Sequence, residues 1–337
     1  MTTSLSDAGL LMSGEMAEQP SVLARLAARS AADIAGVRRL RPAALAGVTF
    51  IARGSSDNAA VYGRYLAELD TGRPAGLAAP SLYTRYHAQV NWDGYVAIAL
   101  SQSGATPEIV TTCAAVREAG AAVIGITNEP DSPLADVSDL LLSTDAGPER
   151  AVPATKTMTA QMLLVATVTA ALGGRDGRPD FAELPAAAGT ILAEPGPADL
   201  LAARWRDADR LIVTGRGLAY ASALEIALKI KETTGILAEG ISAADLRHGP
   251  IATAYAGAPV LLIDAGGPAA ADTADLAERL RGRGAEATLL PLPVTLPEPA
   301  QAIAAVIRGQ QLARALALAK GINPDAPTGL TKVTPTT

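Results

Sequence analysis

Two stretches of this chain read as copies of one unit, and that repetition constrains the fold more than any other feature. The first is VTFIARGSSDNAAVYGRYLAEL from Val48 and the second RLIVTGRGLAYASALEIALKIKE from Arg210. Each runs a short aliphatic strand into Arg-Gly (Arg53-Gly54, Arg216-Gly217) and then into an alanine-rich helix. The correspondence recurs at nearly the same separation where YVAIALSQSG from Tyr95 matches PVLLIDAGG from Pro259. It recurs again near Ala121 and Ala285, where a strand follows a helix-ending glycine. Aliphatic strands alternating with helices imply parallel sheets covered by helices on both faces. The expected fold class is therefore α/β, with two doubly wound parallel-sheet lobes. A helical segment is expected over 1–34, the lobes over 35–175 and 195–315, and a tail over 316–337. The Gly/Pro-rich stretches LGGRDGRPD and AEPGPAD would join the lobes. A length of 337 residues suits two such domains.

Composition narrows the function classes. Hydrophobic residues make up 49% and charged residues 18%, enough apolar material for large cores. Aromatics are only 3%, which leaves few stacking platforms for single-stranded nucleic acid, and a net charge of −6 gives no basic footprint. No nucleic-acid partner is expected. The single cysteine, Cys113, excludes an intrachain disulfide and a cysteine-rich metal site. The longest apolar run, Met162 to Leu172, is too short to span a bilayer, and no basic region leads into an apolar core at the N-terminus. A cytoplasmic chain without a membrane partner is the expectation.

In doubly wound sheets, ligands sit beyond the carboxyl ends of the strands. There the first lobe carries LSQSGATPE, Leu100 to Glu108, with Ser101, Ser103 and Thr106 ahead of Pro107, a good first helical residue. Three hydroxyls and free N–H groups at a helix N-terminus can cradle a phosphate monoester. The same residues also fit an ordinary Thr106 N-cap. A companion turn, RGSSDN, places Ser55 and Ser56 at the end of the preceding strand, and two such turns in one lobe favour a phosphate. Neither is a GxGxxG or Walker loop, so a nucleotide is not expected.

In the second lobe Glu225, Lys229 and Glu232 form one polar stripe on a helix. It reads equally as a solvent-facing run of ion pairs or as a cleft wall with a desolvated glutamate base. His248 stands in DLRHGP, with Asp245 spaced to bond an imidazole nitrogen and Gly249-Pro250 ending the helix. That setting suits a ring titrating near neutrality, against the commoner surface histidine. His87 has no comparable setting. Lys332, in the tail NPDAPTGLTKVTPTT, has no local feature that sets it apart.

The motifs occur in order: MSGEMAEQP from Met12, RGSS, SQSGAT, GPERAVPATKT from Gly147, GRG from Gly215, ALKIKE, AEGISAADLRHGP and NPDAPTGLTKVT. In this order the chain resembles the sugar isomerase (SIS) family, and within it the isomerase half of glucosamine-6-phosphate synthase and its stand-alone deaminase relatives. The resemblance implies flavodoxin-like lobes, a sugar phosphate as small-molecule partner, and a homodimer with shared active sites. It assigns Ser101, Gln102, Ser103 and Thr106 to the phosphate, and Gly54 and Ser55 to the sugar edge. Glu232 would move protons between C1 and C2, and His248, donated by the partner subunit, would open the ring. Lys332 would contact the open-chain carbonyl or form an imine with it, with Lys229 a supporting cation.

Two positions depart from the pattern. Arg53 stands where the synthases resemble CGTS, and Ala154, at the sugar pocket, replaces a hydroxyl in the VPATK loop. No catalytic cysteine opens the chain, so glutamine-dependent amination is not expected. The leading expectation is deamination and isomerisation of glucosamine 6-phosphate by acid–base steps that need no metal or cofactor. One alternative is dehydration of N-acetylglucosamine 6-phosphate, in which the C3 hydroxyl leaves after C2 deprotonation. Another is a phosphosugar-sensing module, which the presence of Glu232 and His248 argues against.

Overall fold

The protein is described by a computed structural model covering residues 7–177 and 179–332. The segment expected over 1–34 begins, and the tail expected over 316–337 ends, outside the described residues. The chain divides into two units. One comprises residues 21–148 and 157–179, the other residues up to 20, 149–156 and 180–332.

The first unit is built on five parallel strands: β1 (Gly47–Ile51), β2 (Ala75–Leu77), β3 (Tyr95–Leu100), β4 (Ala122–Thr127) and β5 (Leu140–Ser143). Their order is β2-β1-β3-β4-β5, the flavodoxin-like arrangement. Strands β1, β3 and β4 are buried almost throughout, as strands covered on both faces must be, which is why they read as continuous aliphatic runs. One face packs Ile51, Ala97, Ala99 and Val123 against Ile109, Cys113 and Val116 of the helix Pro107–Glu118. Burial pushes the Cys113 thiol up to about 12, so it is an inert core residue. On the helix Ser55–Thr71, Gly63 lets Phe50 and Val165 approach where a Cβ would overlap both.

The second unit holds four parallel strands: β6 (Arg210–Gly215), β7 (Leu237–Ser242), β8 (Pro259–Ile263) and β9 (Glu286–Leu289), ordered β7-β6-β8-β9. This repeats the first four positions of the other sheet. Ile212, Val260 and Leu262 pack against Leu246, Leu276 and Leu280. Two parallel-sheet α/β lobes are thus present.

The same unit also takes in distant segments. Residues 149–156 belong to it although they lie between elements of the other unit. The Glu15 carboxylate, on the helix Leu10–Ala17, accepts from the N–H groups of Arg150 and Ala151, and Lys156 Nζ lies 2.7 Å from Glu18 Oε2. The tail is pinned as well. Asp325 accepts from the N–H groups of Met12 (2.8 Å) and Leu11 (3.1 Å), and Asn323 accepts from that of Gly9 (3.0 Å). A carboxylate there satisfies helix N–H groups that would otherwise lack partners, a contribution of about 0.5–2 kcal/mol.

Candidate functional site

In a doubly wound sheet the ligand crevice opens where the strand order reverses. In the five-stranded unit that point lies between β1 and β3, and the turns leaving these strands are RGSS and SQSGAT. Gly54, with φ +60°, begins the helix Ser55–Thr71, and no side chain caps it. Ser55 is half-buried on its first turn. Ser56 is buried and donates to Gln161 Oε1 at 3.0 Å, a bond that ties the turn to the helix Lys156–Leu172.

The SQSGAT turn is braced by its own hydroxyl oxygens. Ser101 Oγ accepts from the Gly104 N–H at 3.1 Å and Ser103 Oγ from the Ala105 N–H at 3.3 Å. The Gln102 carbonyl accepts from Asn128 N and Thr127 Oγ1. Gly104 has φ +60°, and a Cβ there would collide with Ser132. Thr106 occupies the cap position of the helix Pro107–Glu118, yet its hydroxyl caps nothing and lies 3.5 Å from Ser101 Oγ. The bland alternative, a plain Thr106 cap, is not what the turn forms. The turn instead sets the hydroxyls of Ser101, Ser103 and Thr106 beside a helix N-terminus, groups that can donate to a phosphate.

Arg53 adds a charge that the rest of the turn lacks. Its Nε and Nη2 each donate to Glu108 at 3.0 Å, a two-pronged pair, and Nη1 donates to the Ala52 carbonyl. Burial raises the Asp57 carboxyl above its usual range while Arg53 pulls it back.

At the corresponding reversal of the four-stranded sheet the turns are glycine-rich, and a carboxylate from the chain itself lies in them. Glu298 Oε2 sits where a Gly267 Cβ would be, its Oε1 approaches Gly217, and the Leu218 N–H donates to it. Burial raises this carboxyl, and Asp264 adds to the rise.

The polar stripe of the helix Ala219–Thr234 is buried. The side chains of Glu225 and Lys229 are 0% and 1% exposed, while Glu232 keeps 23%. Lys229 Nζ pairs with Glu232 Oε2 and lies 3.6 Å from Glu225 Oε1. Burial pulls the Lys229 ammonium down, but Glu225 and Glu232, with Glu149 behind them, outweigh it and hold the pKa above the ordinary lysine value. The solvent-facing reading of the stripe is excluded.

Sequence reasoning gave Glu149 no role. Its side chain is fully buried, accepts from Thr155 N at 2.9 Å and pairs with Lys332 Nζ at 2.9 Å. Lys332 thus pairs with Glu149, and Glu149 acts electrostatically on Lys229, which pairs with Glu225 and Glu232. Ala154 lies half-buried on the same 149–156 loop. His248 is exposed at the end of the helix Ala243–Arg247. Asp245 does not turn to its imidazole, because its carboxylate accepts from Ser242 Oγ at 3.0 Å within the helix cap.

A model of the SIS domain matches residues 47–171 and 205–294. A glutamine–fructose-6-phosphate aminotransferase (isomerizing) from Zymomonas mobilis is 30% identical over 311 residues, 85% of this chain and 51% of that protein. The chain spans about half the length of the curated relatives it matches. A candidate phosphosugar isomerase from Silicibacter pomeroyi superposes with a TM-score of 0.85 at 32% identity, over 94% of this chain and 99% of that one. The C-terminal domain of glucosamine-fructose-6-phosphate aminotransferase from Francisella tularensis shares the fold at a TM-score of 0.82 and 24% identity, over 94% and 98% of the two chains. With two doubly wound lobes and the family model matched over more than half its length, the chain belongs to the SIS domain family.

Proposed function

We propose that the chain converts glucosamine 6-phosphate to fructose 6-phosphate and ammonia. The observation that carries this reading is Glu232, a carboxylate fixed by a buried lysine yet still 23% exposed. A base that moves a carbon-bound proton needs that combination of fixed orientation and open access. The fructose 6-phosphate and amino-transfer chemistry in the name of the Zymomonas mobilis relative supports the substrate class.

The SQSGAT and RGSS turns take the phosphate and supply orientation rather than chemistry. His248 of the partner subunit opens the ring in a homodimer with shared sites, giving an aldehyde at C1 beside the amine at C2. Glu232 removes the C2 proton to form an enaminol and returns a proton to C1, leaving an imine at C2. Water hydrolyses the imine to the ketone and releases ammonia. Lys332 meets the C1 oxygen as charge develops there. Lys229 holds the Glu232 carboxylate in place.

The test is turnover of glucosamine 6-phosphate, read as ammonia and fructose 6-phosphate. Glu232→Gln should lower the rate by about 10²–10⁴-fold while sugar-phosphate binding, read as a thermal shift, persists. An ultraviolet-absorbing product from N-acetylglucosamine 6-phosphate alone would instead establish dehydration. Turnover untouched by the substitution would sink the role of Glu232.

A further inference from the structure

The phosphate turn contains a charge of the wrong sign. Glu108 is the second residue of the helix Pro107–Glu118, its side chain is only 9% exposed, and it follows Thr106 directly across Pro107. A carboxylate suits a helix N-terminus by itself, but a phosphate dianion drawn to the same N-terminus meets it as a like charge. Asp57, on the first turn after RGSS, is a second carboxylate within reach of Arg53.

We propose that Arg53 is a positioning residue that clamps and neutralises the Glu108 carboxylate, so that the cradle accepts a phosphate dianion only while that negative charge is compensated. This rests on the phosphate reading given above. The geometry is specific to arginine: Nε and Nη2 engage the two Glu108 oxygens at 3.0 Å each, and Nη1 is held by the Ala52 carbonyl at 3.2 Å. A fork of this kind fixes distance and angle together, which a lysine ammonium does not. It joins the ends of β1 and β3, the two strands flanking the reversal point.

The test is a charge-removal cycle read with inorganic phosphate by calorimetry, and with sugar phosphate as KM against kcat. Arg53→Met should weaken phosphate binding about tenfold or more, the scale of an uncompensated like charge nearby, and raise KM with little change in kcat. Glu108→Gln alone should not weaken binding. The double variant Arg53→Met/Glu108→Gln should recover most of the lost affinity, and Arg53→Lys should fall between wild type and Arg53→Met. If Arg53→Met does not fold, the double variant and Arg53→Lys still decide the matter. Equal phosphate affinity in wild type and Arg53→Lys, or a double variant that binds at least tenfold more weakly than wild type, overturns the clamp. Wild-type protein that binds neither phosphate nor sugar phosphate overturns the phosphate reading itself, and the clamp with it.

Discussion

Lys332 Nζ lies 2.9 Å from Glu149 Oε2, and of the two side chains only that of Lys332 reaches solvent, at 22% exposure against 0%. This asymmetry sets how each loss is felt. Removing the ammonium strands a buried carboxylate, whereas neutralising the glutamate leaves a lysine that can swing toward water. Lys332→Met should therefore lower unfolding free energy by about 3 kcal/mol, and Glu149→Gln by about 1 kcal/mol, because a glutamine oxygen can still accept from Thr155. Urea denaturation of both variants checks the order. A larger loss for Glu149→Gln would contradict it.

Lys229→Met should remove about 3–5 kcal/mol by leaving Glu225 and Glu232 without their shared cation. The pH dependence has a definite sign. The folded pKa of Lys229 is raised, so its stabilisation is fully present below the unfolded lysine value of about 10.4 and is lost as pH rises through the higher folded value. The stability gap between wild type and variant should stay flat from pH 6 to about 10. A gap that closes within that range would show that the buried stripe is not the source.

Gly104→Ala should damage the phosphate turn directly. The new Cβ would collide with Ser132 at a φ of +60° that side chains disfavour. A loss of about 1–3 kcal/mol is expected, with a raised KM for sugar phosphate. An unchanged melting temperature and KM would show that the turn tolerates a different path.

The repeat, the parallel lobes and the hydroxyl-rich turns were legible because each is local: an aliphatic run, a glycine, a hydroxyl beside a helix start. Strand β7 was not, since Glu239 and Gly240 interrupt the apolar run of LAEGIS. Nor was β2, only three residues long. The stripe of Glu225, Lys229 and Glu232 was visible as spacing, but spacing does not say which face of a helix is covered. Glu149 escaped because its partner Lys332 lies 183 residues away. Asp245 misled because the nearer Ser242 hydroxyl competes successfully for its carboxylate.

Glu298 gives the duplicated architecture an unequal outcome. At the reversal point of the first sheet the turns carry the hydroxyls of Ser55, Ser101, Ser103 and Thr106, whereas at that of the second a tethered acid is seated against Gly267 and held by the Leu218 N–H. A visiting anion would have to evict a group that cannot diffuse away, and would face Asp264 as well. The two reversal points are therefore not interchangeable, and a phosphate-binding turn grafted from the first sheet onto the second would meet a carboxylate already in place.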